Sequence, residues 1–427
     1  MKSLKATERI YYLLTSLFWF ATALPMALSV LLMQSRGIDL FQIGITMGTY
    51  SMIIVLLEIP TGGLADAIGR KKVALIAYSC SVLASIILLS AFSFPTLMLG
   101  FIIYGVARAL STGTLDAWVV DTLQEIDPEV DLQPFFSKAG TFTLLSLGSG
   151  TLIGSLLPDL FSFLPADGTA VLTPLSIPVL FTTVFMSALI FFTFKLVVEV
   201  LPEGRSGHWK EGFRMVPGII KTGFGLSRKN PVILMLLGAG MAAGFALSGI
   251  ESFWQPRFAE IFGEVEGNSI YFGIIMGGNF LVGMVGNMLA TWFSKLLNRR
   301  YAILAAIFQG LWGMFLFLLT MQTLPVPSVL FFWLTYLSMG VVNSPQQTLL
   351  NEEIPSEHRS SMLSIASFFT YIGAMLGGGI LGYLAENVSI LFGWQIGGII
   401  LMVSLILYWR IDILKHKSSI PVREGAQ

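Results

Sequence analysis

Runs of about twenty apolar residues recur from one end of this chain to the other, and that repetition restricts the fold more than any motif. A run of this length spans the hydrocarbon core of a bilayer as a helix. Backbone amides in lipid have no water to bond, so a spanning segment must satisfy them within a helix or a closed barrel. Barrel strands would show short alternating stretches, and these runs are continuously apolar instead. Only 12% of the residues are charged, about half the share of an ordinary soluble domain. Breaks at charges, Pro and Gly place about twelve spans, near 11–33, 41–65, 73–93, 96–121, 136–157, 174–197, 231–254, 269–293, 301–321, 328–350, 361–385 and 390–410. The longest polar stretch, 198–230, separates them into two sets of six. The expected fold is all-α and membrane-embedded: twelve transmembrane helices in two six-helix bundles, 1–197 and 231–427, joined by a cytoplasmic linker.

Lysine and arginine set the orientation. If the chain starts inside, 22 of its 25 cations fall on the inner side, Arg36 and Arg257 fall outside, and Arg108 falls within a span. Such a bias over short loops places both termini and the linker in the cytoplasm. The run from Tyr11 to Met33 is too long for a signal-peptide core and lacks a small-residue cleavage site, so it reads as a retained first span. In the linker, Trp209, Phe213, Val216, Ile220 and Phe224 recur at helical spacing among cations. That pattern suits an amphipathic helix at the membrane surface or a loosely ordered connection. A formal net charge of zero argues against a nucleic-acid partner. One cysteine, Cys80, permits no disulfide framework, and three scattered histidines make a metal site unexpected. The halves also echo one another: a shift of 228 aligns KKVALI (71–76) with RRYAIL (299–304), and a shift of 230 similarly aligns GTLDAWVVDT (113–122) with NSPQQTLLNE (343–352).

The densest charge cluster is GGLADAIGRKK, residues 62–72, between the second and third spans. Gly62 permits close helix approach and Gly69 a tight turn. Asp66 can accept amides at a neighbouring helix N-terminus. Arg70, followed by Lys71, can bridge to a carboxylate, for which Asp121 at the inner end of span four is the natural candidate. With six plus six helices and a long middle loop, this cluster resembles the major facilitator superfamily, whose loop signature runs Gly-x-Leu-Ala-Asp-x-x-Gly-Arg-Lys. Gly62, Leu64, Ala65, Asp66, Gly69, Arg70 and Lys71 match it, and Ala67 replaces the usual cation. The resemblance covers nearly the whole chain and implies a conformational latch that holds the outward-open arrangement. In the second half Ser294, Leu297 and Asn298 stand where Asp66, Gly69 and Arg70 do, so one working latch is expected.

Ionisable residues inside spans are costly and are functional candidates by default. Four stand out for proton coupling: Asp116 and Glu58 first, then Glu251, with Arg108 as the cation able to hold or release a carboxylate. Arg108 in YGVARALSTG also resembles the superfamily's fourth-span arginine, which precedes a glycine (here Gly113) in many proton-coupled members. A static ion pair is the plainer reading of Asp116, and a solvated interface residue that of Glu251. Trp19, Trp118, Trp254 and Trp333 could wall a substrate cavity, and Asn279, Asn343, Gln346 and Gln347 could hydrogen-bond within it. Lipid-facing or core packing is the plainer role for each aromatic. GSGTLIG (148–154) and GAGMAAG (238–244) lie inside apolar runs, so close helix packing accounts for them better than a nucleotide loop. Many antiporters of the superfamily carry a Gly-Pro pair in span five. Here Gly140, Gly148, Gly150 and Gly154 have no proline among them.

These residues imply a proton-coupled secondary transporter of the inner or plasma membrane, powered by the proton gradient without a bound cofactor and able to work as a monomer. EIPTG (58–62) and WQP (254–256) resemble the small-efflux branch, so the expected substrate is an amphiphilic small molecule, drug-like or a siderophore-type metabolite, moving outward. Import by symport, an uncoupled facilitator and a non-transporting scaffold remain the rival readings. No phosphate loop, metal-ligand cluster or nucleophile elbow supports an enzyme.

Overall fold

The computed structural model describes residues 3–199, 225, 228, 230–263, 267–354 and 359–418; the side chains of Gly62 and Asp66 and the amphipathic stretch 209–224 lie outside the described residues. Regular secondary structure among those described is entirely helical: α1 (Leu4–Ala23), α2 (Ser29–Ser35), α3 (Leu40–Ile68), α4 (Arg70–Leu89), α5 (Phe94–Ser111), α6 (Thr114–Ile126), α7 (Leu132–Leu160), α8 (Ile177–Leu196), α9 (Pro231–Phe262), α10 (Ser269–Leu296), α11 (Tyr301–Leu319), α12 (Pro325–Glu353), α13 (Arg359–Asn387) and α14 (Ile390–Ser418). Helix starts follow local chemistry. Ser3, Asp39 and Asp131 accept the first free amides of α1, α3 and α7, while proline sits in the opening turn of α5, α8 and α12, where its missing N–H costs nothing.

Among the described residues, eleven stretches are long and apolar enough to cross a membrane. The first span completes the set of twelve in two pieces: α1 opens with Lys5, Glu8 and Arg9, and the chain leaves the helix at Leu24–Pro25 before α2 resumes. Proline cannot donate the bond that would continue α1. The fourth span is also broken. Thr112 is extended and Gly113 takes a left-handed φ of 70°, separating α5 from α6.

By contact, the chain divides into two compact units, Met1–Gly218 with Ser252–Phe280, and Ile219–Glu251 with Leu281–Gln427. The core of the first gathers Tyr11, Leu14, Val73, Ala77, Trp118, Leu123 and Met186. That of the second gathers Ile233, Leu237, Leu304, Ala305, Val341, Leu349 and Tyr408. Residues 252–280 join the first unit, whereas a division at the linker assigns them to the second bundle. The reason is a set of specific bonds: Gln255 reaches the break in span one, Ser269 Oγ donates to the Ser155 carbonyl, and the Gly267 amide donates to Asp159.

The internal repeat has a physical form. In the first unit, methyl groups at Gly150 and Gly154 of α7 would overlap the carbonyls of Phe20 and Leu24 at the end of the α1 segment. In the second, methyl groups at Gly373 and Gly377 of α13 would overlap those of Met241 and Phe245 in α9. The first and fifth spans of each half therefore cross backbone to backbone through two glycines four residues apart, as small-residue helix contacts do in lipid.

Candidate functional site

The break in span four creates the site. It leaves Arg108 in the last turn of α5 and Asp116 in the first turn of α6, each charge complementing the helix end it occupies. Thr61 on α3 steadies the junction by donating 3.1 Å bonds to the carbonyls of Ala109 and Glu58.

Arg108 is half-buried, and its guanidinium carbon lies 4.8 Å from the Trp19 ring and 5.9 Å from the Phe18 ring. Besides these cation–π contacts, Arg108 lies within electrostatic reach of Tyr104, and no carboxylate among the described residues pairs with it. Asp116 is exposed at the bundle face and accepts a short hydrogen bond from the Tyr11 hydroxyl of α1. Tyr11 itself is buried. Glu58 is exposed on α3, one turn from Thr61. Tyr50 and Tyr104 stack beside this region with ring centroids 5.6 Å apart. The fourth and first spans thus bring a cation, a carboxylate, a phenol and an aromatic wall to one face of the first unit.

At the inner end of that unit, the Arg70 guanidinium pairs with Asp121 and also donates to the Ala117 carbonyl. The amides of Arg70 and Lys71 donate to the Glu199 carboxylate at 2.8 and 2.9 Å, and Lys71 Nζ reaches the Phe194 carbonyl at 2.8 Å. Gly69 adopts a φ of 100° between α3 and α4. The second unit has its own pairs: Arg300 binds Asp412, and Lys415 reaches Glu352 at 2.7 Å and Glu353 at 3.1 Å. The Asp412 hydrogen bond holds the Arg300 guanidinium above its ordinary pKa range. The basic turn opening α11 is therefore more than a membrane anchor.

Several residues expected on a cavity wall belong to packing. Trp118 is a core residue: it is 4% exposed and its indole N–H donates to the Val198 carbonyl. Trp254 is buried against Phe258 and Phe272. Asn279 is buried with its Nδ2 at 4.0 Å from Met276 Sδ and its Oδ1 without a hydrogen-bond partner among the described residues. In the second unit, Asn343 and Gln347 are exposed, and Trp333 and Gln346 are half-buried. The Gln346 amide lies with the Thr370 hydroxyl against Gly240, where α9, α12 and α13 meet. Glu251 is exposed on α9, within electrostatic reach of Tyr336 on α12. Tyr336, Asn343 and Gln347 share one helical face by their spacing of seven and four.

Sequence reasoning passed over Tyr11, Glu199 and Gln255. Glu199 carried a signal, as a lone acid beside the last cation of span six. Gln255 carried only its neighbour Pro256. Its amide fills the break in span one: Oε1 accepts from the Val30 amide at 2.8 Å and Nε2 donates to the Met26 carbonyl at 2.9 Å. Those two backbone groups are four residues apart and would bond each other in an unbroken helix.

The family model for the Major Facilitator Superfamily matches residues 10–364, and again 272–426. The chain belongs to the major facilitator superfamily. A superfamily relative, the uncharacterized MFS-type transporter YxaM of Bacillus subtilis (strain 168), is 22% identical over 414 residues, covering 95% of this chain and 96% of YxaM. Among solved structures, the nucleoside transporter NupG is similar with a TM-score of 0.73 at 14% identity, over 98% of this chain and 100% of that one. A D-xylose-proton symporter gives 0.68 at 12% identity (96% and 98%), and the human organic anion transporter MFSD10 gives 0.60 at 15% identity (96% and 100%). At these identities the likeness to solved structures establishes the fold, and membership of the superfamily makes the chain a multi-pass membrane transporter, not an enzyme.

Proposed function

We propose that this chain is a proton-coupled secondary transporter that exports an amphiphilic small molecule by alternating access. The observation that carries the reading is the broken fourth span, with an Arg108 before the break that meets no carboxylate among the described residues and an exposed, phenol-bonded Asp116 after it. A carboxylate that can exchange between a buried phenol and water has two environments with different proton affinity, which is what coupling to a gradient requires. Glu58 is the second proton carrier of the first unit and Glu251 that of the other. The proton gradient is the energy source, the unit of function is the monomer in the inner or plasma membrane, and the positive-inside bias supports cytoplasmic placement of the central loop and of the segments flanking the first and last spans. Outward transport is supported by the EIPTG and WQP stretches. Inward proton symport is the second reading, favoured by the D-xylose-proton symporter among the structural neighbours.

Inverted vesicles energised with a proton gradient test this. A panel of amphiphilic fluorophores of either charge and of none is offered, with an uncoupler as control. Accumulation of a fluorophore that collapses with the uncoupler and is reduced at least about tenfold in Asp116→Asn is the expected result. Accumulation indifferent to the uncoupler sinks the coupling, and gradient-driven accumulation only in right-side-out vesicles reverses the direction.

A further inference from the structure

A guanidinium within a membrane span is expensive unless an anion or a polar cavity receives it. In the first unit the available anions are otherwise engaged. Asp116 takes its hydrogen bond from Tyr11, beyond the break. Asp121 is bound by Arg70 and Glu199 by the α4 amides. Glu58 is on the neighbouring helix but does not pair with Arg108. None of the guanidinium N–H donors of Arg108 meets a protein acceptor among the described residues, although the side chain is held in place by the faces of Trp19 and Phe18. The two ring faces hold the charge without using any of its N–H donors, which leaves those donors for a ligand.

We propose that the missing counter-ion is the substrate: an amphiphilic organic anion whose carboxylate, sulfonate or phosphate group docks on the edge of Arg108, with its apolar body along the Trp19 and Phe18 wall. This inference rests on the transporter reading and names its substrate class. It excludes lipophilic cations as preferred cargo, since a bare guanidinium repels them. It also separates two duties. Arg108 receives the anion, and Asp116 and Glu58 remain free to carry protons, so a bound anion neither needs nor displaces a protein carboxylate. A planar fork suits a two-oxygen acid better than a point cation does, which makes lysine an incomplete substitute.

Equilibrium binding to the full chain in lipid nanodiscs, with no gradient, tests the proposal. The probes are 1-naphthoate, naphthalene-1-sulfonate and indole-3-acetate, each beside its uncharged amide and a matched primary amine, read by tryptophan fluorescence and by thermal stabilisation. Expected in wild type is that at least one acid binds about tenfold more tightly than its amide and amine, the size of a charge-assisted pair. Arg108→Gln should bring acid and amide together, and Arg108→Lys should keep part of the preference. The proposal is overturned if no acid is favoured in wild type, or if the preference survives in Arg108→Gln. Should Arg108→Gln not fold, the wild-type comparison and Arg108→Lys decide it. Acid-selective binding with uncoupler-indifferent flux would sink the proton-coupled reading and leave the anion site standing. Coupled flux without acid selectivity would do the reverse.

Discussion

Asp116 and Arg108 stood out in the sequence because a charge in an apolar run has to be explained, and their placement at a helix break explains how the span tolerates both. What the sequence did not reveal is the partner. Tyr11 is one aromatic among many in span one, and nothing in its spacing says that its hydroxyl, 105 positions away, meets a carboxylate. The geometry makes a direct prediction. Tyr11→Phe removes a single donor and keeps the ring packed against Phe135 and Tyr12, so the folded protein should lose only about 1 kcal/mol. Substrate-driven proton movement, followed with a pH-sensitive dye in proteoliposomes, should nevertheless fall several-fold, because Asp116 has lost one of the two environments between which its proton moves. Unchanged proton flux would reduce the pair to packing. The tryptophans show the opposite limit of sequence reading. Trp19 and Trp118 look alike in an apolar run, but Trp19 stacks on Arg108 while Trp118 fills the core and satisfies its N–H on Val198. Only the rotation of each helix about its axis distinguishes them, and an all-round apolar helix carries little record of that rotation.

Helices that are interrupted rather than continuous give this chain its working parts. The run lengths sufficed to count twelve spans, because lipid thickness fixes them, but length cannot report that spans one and four are each two helices. The prolyl break at Pro25 and the left-handed Gly113 were visible as residues and ambiguous as signals, since membrane helices tolerate both. The consequence at Pro25 is a pair of unbonded backbone groups, and the Gln255 side chain closes them like a splint. Gln255→Leu keeps the volume and removes both bonds, leaving the Val30 N–H and Met26 C=O unsatisfied in a buried place, at about 1–3 kcal/mol each. Residues 252–280 should then detach more readily from α1, α2 and α7. Ser252 is a suitable reporter, being buried with a hydroxyl that has no hydrogen-bond partner among the described residues. In a Cys80→Ser background, Ser252→Cys should react several-fold faster with an impermeant maleimide applied from outside when Gln255→Leu is added. Equal rates would show that the splint does not control opening.

For the molecule as a whole, the two halves have diverged around a shared plan. Paired glycines cross the first and fifth spans in both, and each half ties the start of its third span to acids further along the chain. The ties differ in exposure, and exposure assigns their duties. The Asp121 side chain is 60% exposed, whereas that of Asp412 is 9% exposed. An open ion pair such as Arg70–Asp121 contributes about 0–1 kcal/mol to folding, so we propose that its value lies in being made and broken. The latch expected from the loop signature would need such a contact, weak enough to release in each cycle. The Arg300–Asp412 pair, with its acid buried, is a fixed joint of the second unit. Asp121→Asn should therefore slow gradient-driven transport several-fold while moving the thermal midpoint by no more than about 2 °C, as a surface-pair loss of under 1 kcal/mol would. Asp412→Asn should lower the midpoint clearly and leave the turnover of the folded fraction close to wild type. Measuring both quantities on both variants distinguishes a moving contact from a static one, and the assignment fails if Asp121→Asn destabilises the protein as much as it slows it.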